Sequence, residues 1–190
     1  MVLDMDPQSL ISTMDIKIWL ILSLLAGGIL YARDGKAQYT KTASCADHAF
    51  DKKVDSYLSY TAPVMDVKNA YYKKSSYVFL DAREKDEYNV SHIEGAQNVG
   101  YDNFTLENIR HLSKDTPIIV YCSIGYRSEK IATKLRKAGY TRVYNMYGSI
   151  FEWVNQGYPI ISSSGKVKKV HTYNQQWSKW VNNPDIFKVY

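Results

Sequence analysis

The chain is poor in the residues that would commit it to several common classes. It has two cysteines, Cys45 and Cys122, which in a secreted chain could form one disulfide but not a multi-bridge framework. Its four histidines, His48, His92, His111 and His171, show no ligand spacing with those cysteines, and no metal or cofactor is expected. Lys and Arg exceed Asp and Glu only mildly and without a dense basic block, which argues against nucleic-acid binding. Apolar and aromatic content is that of a globular protein, enough to bury one core with extensions.

One uncharged apolar run is present, residues 18–32, shorter than the ~20 residues a spanning helix needs. Arg33, Asp34 and Lys36 follow it, and Gly35-Lys36-Ala37 offers a small-x-small cleavage site before Gln38. A secretory leader over residues 1–37 is the expectation, with the true start at Met14, because Asp4 and Asp6 spoil a positive leader. Periplasmic or secreted placement follows, with an uncleaved membrane anchor as the alternative. An extension over 38–60, a domain over 61–161 and a linker with an aromatic tail over 162–190 complete the expected organisation.

The chemistry concentrates in one stretch. Ile118-Ile119-Val120-Tyr121 reads as a buried strand, and it ends at Cys122. A short loop containing Gly125 leads into Ser128–Gly139, where Ile131, Leu135 and Ala138 share a helical face and Gly139 ends it. Strand, tight loop and helix start aim backbone N–H groups and the positive end of a helix at one point. A thiol there is favoured as thiolate, and Cys122 is the candidate nucleophile. A buried cysteine that merely fills space is the plain alternative; packing alone, however, requires neither Gly125 nor the permanent cation of Arg127.

Strand and helix alternation carries the rest. Val78-Phe79-Leu80 and Val143-Tyr144-Asn145-Met146 read as further strands, and 150–154 as a closing helix, giving a parallel sheet covered on both faces. Phe50, Val54, Tyr57 and Leu58 form a helical stripe, Asp66 suits a cap, and 104–112 reads as a short amphipathic helix. Ser162–Lys169 reads as a solvated linker, and Trp177 with Trp180 suggests a short helix docked on the surface. Cys45, in a polar stretch, reads as exposed: a resolving thiol, a lipidation site or an inert thiol.

Cys122-Ser123-Ile124-Gly125-Tyr126-Arg127-Ser128 resembles the active-site loop of rhodanese-like sulfurtransferases, with four residues between Cys and Arg. Phe79-Leu80-Asp81-Ala82-Arg83-Glu84 and Ser91-His92-Ile93-Glu94-Gly95-Ala96-Gln97-Asn98 resemble two upstream elements, Ser91 standing where a glycine is usual. Gly148-Ser149-Ile150-Phe151-Glu152-Trp153 with Gly157-Tyr158-Pro159 is similar to the closing element, Ser149 replacing its second glycine. The resemblance implies a three-layer α/β rhodanese-like domain that carries sulfane sulfur on Cys122. Donors such as thiosulfate or a persulfide, and a thiol, cyanide or partner-protein acceptor, are implied with it. Residues Ser123 to Ser128 would cradle the persulfide, while Asp81, Arg83 and His92 support the site, with Arg83 paired to a carboxylate such as Glu94. Ser123 and Ile124 are neutral where thiosulfate-specialised members carry basic residues. A non-catalytic binding module or persulfide carrier is one alternative. A phosphatase or arsenate reductase is another, disfavoured because those loops are one residue longer and close a larger ring.

Overall fold

The computed structural model describes residues 30–31 and 37–190, so the expected leader lies almost wholly outside the described residues. Among them, no helix is long and apolar enough to cross a membrane. Strands β1 (Leu30–Tyr31) and β2 (Ala37–Gln38) form a small antiparallel pair belonging to a separate unit that ends at Thr40.

The main unit, Lys41–Tyr190, is built on five parallel strands. These are β3 (Val64–Met65), β4 (Val78–Asp81), β5 (Gln97–Asn98), β6 (Ile118–Tyr121) and β7 (Val143–Met146), in the order β3-β7-β6-β4-β5. Central β6 pairs Val120 with Leu80 on one side and with Asn145 on the other.

Successive side chains of a strand point to opposite faces, and β6 shows what that implies for a sheet buried twice. Ile118, Val120 and Cys122 enter one core, with Leu80, Ile131 and Leu135. Ile119 and Tyr121 enter the other, with Phe50, Phe79, Phe151 and Trp153. Cys122 therefore continues the strand's alternation toward the face covered by α4 (Tyr126–Lys137).

The remaining helices are α1 (His48–Asp55), α2 (Val67–Tyr72), α3 (Lys85–Val90), α5 (Ser149–Asn155) and α6 (Gln175–Ser178). Asp47 accepts from the Phe50 N–H at 2.7 Å and Asp66 from the Asn69 N–H at 2.8 Å, so side chains fix the starts of α1 and α2. Phe50 and Val54 bury the α1 part of the stripe, whereas Tyr57 and Leu58 lie beyond the helix end at Asp55 and Tyr57 stays exposed.

Two local expectations give way. The amphipathic segment at 104–112 forms only a 3₁₀ turn, Leu106–Ile109: Ile109 is buried while Leu106 stays exposed, too little apolar surface for a longer helix. The stretch read as a solvated linker is ordered. Strands β8 (Ile160–Ser162) and β9 (Gly165–Val167) form a hairpin, and β10 (Lys169–His171) pairs in parallel with β11 (Phe187–Val189). Backbone hydrogen bonds hold these strands, and the exposed side chains of Ser163 and Ser164 in the turn and of Lys166, Lys168 and Lys169 are what the composition reported. The tail is docked through Trp180, whose ring stacks on Phe50 with centroids 5.7 Å apart.

Candidate active site

Cys122 lies at the carboxyl end of β6, where open parallel sheets present their functional groups. Gly125 caps α4 with φ +121°, a conformation that side chains disfavour, and this lets the chain double back over the sulfur. The Gly125 N–H donates to Cys122 Sγ at 3.2 Å, and the Ser128 hydroxyl lies 3.4 Å from it.

Burial of Cys122 opposes its ionisation. The Arg127 guanidinium, the Ser128 hydroxyl and N–H, and the Gly125 N–H outweigh that effect and hold the thiol below its ordinary value.

Arg127 does not stand free beside the sulfur. Its Nη1 and Nη2 donate to the two oxygens of Glu87, at 2.6 and 2.7 Å, and Nη2 also donates to Ser123 Oγ at 3.0 Å. Glu87 sits in the first turn of α3 and shares a reciprocal cap with Glu84. Burial disfavours its charge, yet the Arg127 fork holds its carboxyl below the usual range. Two further residues lock the loop. Asn145 donates to the Gly125 carbonyl at 3.0 Å and accepts from Ser128 Oγ at 2.7 Å. Ser149 Oγ accepts the Cys122 N–H at 3.1 Å.

The cradle is thus narrower than a full ring of amides. Gly125 and Ser128 face the sulfur, while the Ser123 side chain serves the Arg127–Glu87 pair. Ile124 is buried in the wall of the cavity above Cys122, and Tyr126 stands exposed at its mouth. That cavity, about 340 Å³, is lined by Tyr57, Glu84, Tyr101, Asp102, Tyr173 and Trp177 besides the loop.

Asp81 and Arg83 form a fully buried pair, Nη2 to Oδ2 2.6 Å, and Asp81 also accepts the Arg83 N–H at 2.9 Å. Arg83 donates as well to the Ser91 carbonyl at 2.7 Å. Glu94 was the wrong partner: Asp81 is two residues away in the same turn and takes the charge. His92 stacks on Tyr88 at 3.7 Å and its Nδ1 meets the Tyr88 carbonyl at 3.0 Å, so it ties the α3 end to the β8 strand. Cys45, expected at the surface, is buried against Gly148 and Glu152. Burial, then the Glu152 and Asp51 carboxylates, push its thiol up strongly, the opposite of what a resolving thiol needs. Among the described residues, no cluster of His, Cys, Asp and Glu could hold a metal.

Glu87, Asn145 and Ser149 escaped the sequence reading. Each lies far along the chain from Cys122, and only the sheet order brings it near.

This geometry has counterparts. Residues 65–156 match the rhodanese-like domain family. They form a rhodanese-like domain. The chain is 34% identical over 100 residues to the tRNA uridine(34) hydroxylase of Onion yellows phytoplasma, covering 50% of this chain and 32% of that protein. It is 33% identical over 84 residues to YqhL of Bacillus subtilis, covering 44% of this chain and 64% of that one. The chain therefore spans about a third of the length of the hydroxylase it matches. The solution structure of the rhodanese-like domain of Alr3790 from Anabaena superposes with a TM-score of 0.50 at 24% identity, covering 53% of this chain and 79% of that one, a likeness of fold. The matched residues hold the sheet from Met65 onward, α2 to α5 and the Cys122 loop; the segments before 65 and after 156 lie outside the match.

Proposed function

We propose that the domain is a sulfurtransferase that carries sulfane sulfur on Cys122. The observation that supports this best is a buried thiol whose ionisation is favoured by Arg127, Ser128 and Gly125. Thiolate Cys122 attacks the outer sulfur of a donor; the bond between outer and inner sulfur breaks, and its electron pair leaves with the inner part. With thiosulfate the products are the Cys122 persulfide anion and sulfite. A thiolate or cyanide then attacks the terminal sulfur and regenerates Cys122, so the cycle needs no outside oxidant or reductant. The groups that lower the Cys122 pKa favour the thiolate without a side chain acting as general base.

The name tRNA uridine(34) hydroxylase belongs to a protein about three times as long as the stretch that matches, and only that matched third supports a reading here. The apolar run at 18–32 supports export, where a thiol would serve as acceptor. A binding module without turnover is the rival.

Turnover of thiosulfate with cyanide, and of a small-molecule persulfide with a thiol, tests the reading. Thiocyanate from cyanide, or the persulfide of the acceptor thiol, formed by the wild type and not by Cys122→Ser, is expected. Equal, background rates in both proteins with both donors would overturn it.

A further inference from the structure

The opening above Cys122 is framed by parts of the chain that lie outside residues 65–156. Tyr57 comes from the segment before the domain, Tyr173 and Trp177 from the segment after it. Trp177 meets Tyr57 edge to face at 5.4 Å, and Tyr57 meets Tyr126 likewise at 6.3 Å. Tyr173 lies with its ring 5.6 Å from the Arg127 guanidinium.

Leaving these rings in the open is costly, and the fold does it repeatedly at one place. Tyr57, Tyr126 and Tyr173 are all exposed around this one opening. Tyr173 moreover sits at φ +66°, a strained setting for a tyrosine, fixed by its neighbours: Thr172 is buried and bonded to the Val189 carbonyl, and Asn174 caps α6.

Charge points away from a dianion. Among the described residues that line the cavity, Glu84 and Asp102 are acidic and the one cation, Arg127, is already held by both oxygens of Glu87; Lys53 and Lys130 are not in the lining but lie over the rings of Tyr57, Trp177 and Tyr126. Size agrees, since about 340 Å³ exceeds what an inorganic anion fills and falls in the range of sites for small organic molecules.

We infer that the two extensions convert the Cys122 site into a receptor for a small organosulfur donor, one whose transferable sulfur is joined to an uncharged aromatic or apolar body seated among Tyr57, Tyr173 and Trp177. This rests on the sulfurtransferase reading and adds the class of donor. With an organic persulfide, Cys122 takes the outer sulfur, the S–S bond breaks and the organic thiolate departs with the electron pair.

Methanethiosulfonate and benzenethiosulfonate test it, because they share charge and reacting group and differ in the ring alone. Each gives up its outer sulfur to Cys122 and leaves as the sulfinate. The wild type should use benzenethiosulfonate with a kcat/KM about tenfold or more above methanethiosulfonate, as burial of a ring in a fitted cavity implies. Trp177→Ala and, separately, Tyr173→Leu should bring that ratio toward one; the ratio within each protein cancels losses of folded enzyme. Calorimetric titration of Cys122→Ser reads binding without transfer, and the same preference is expected there. Turnover of both donors at equal kcat/KM would overturn the inference and leave sulfur transfer standing. Absence of turnover in the wild type, with equal or no binding to Cys122→Ser, would overturn both.

Discussion

Arg127 rests on Glu87 through two parallel hydrogen bonds, 2.6 and 2.7 Å long, between the first turns of α4 and α3. The pair fixes the cation beside Cys122 and joins the nucleophile's loop to a helix that precedes it by almost forty residues. Replacing Glu87 by Gln should keep the shape and remove the charge, costing on the order of 2 kcal/mol at neutral pH because Arg127 is left half-satisfied. The pH dependence has a definite sign. Glu87 ionises below its ordinary value in the fold, so its contribution is present above the unfolded pKa, about 4.3, and is lost as pH falls through the folded one. Urea unfolding at several pH values should show the gap between wild type and Glu87→Gln closing toward acid; a constant gap from neutral to strongly acid conditions would contradict the pairing.

Ser128 has one hydroxyl proton and two acceptors, Asn145 Oδ1 at 2.7 Å and Cys122 Sγ at 3.4 Å. Asn145 gives its own amide protons to the Gly125 carbonyl, so its Oδ1 is left to accept. When Cys122 ionises, the sulfur competes for the Ser128 proton. Ser128→Ala should therefore raise the pH midpoint at which Cys122 reacts with iodoacetamide. An unchanged midpoint would mean that the hydroxyl serves Asn145 alone.

The site's centre was legible because its parts are contiguous. A β-branched strand, a cysteine, a glycine and an arginine within ten residues leave little choice of geometry, and Ile131 and Leu135 marked the helix that follows. Its start was misplaced by two residues, at Ser128 where Tyr126 is the first helical residue, since Gly125 and not a side chain makes the cap. Glu87 was illegible for a different reason. An acidic residue in a short helix looks like surface, and only the β4–β6 pairing places it over the loop. The β8–β9 hairpin was hidden likewise, because main-chain bonds leave no apolar pattern in the sequence.

Cys45 should behave as the inert thiol of the two. Native protein treated with a maleimide at neutral pH should be modified at Cys122 and not at Cys45, and Cys122→Ser should remain unmodified until it is unfolded. Burial and the neighbouring carboxylates of Glu152 and Asp51 are the cause. Labelling of Cys45 in the folded protein at the rate of Cys122 would contradict this packing.

Gly148 shows how tightly that corner is closed. Its φ is +71°, and a Cβ there would stand 2.6 Å from Cys45 Sγ and 2.7 Å from Glu152 Cβ. Gly148→Ala combines a disfavoured backbone with two overlaps, and should destabilise by about 2–3 kcal/mol, seen as a lower thermal midpoint. A variant as stable as wild type would show that the corner can open.

Sulfur transfer through Cys122 requires that its thiol be ionised near neutral pH. The direct measurement is the rate of iodoacetamide alkylation at Cys122 across pH, followed by peptide mass. The expected midpoint lies below the ~8.5 of a free cysteine thiol. A midpoint at or above that of free cysteine would mean that burial wins over Arg127, Ser128 and Gly125, and sulfur transfer through this residue would lose its physical basis.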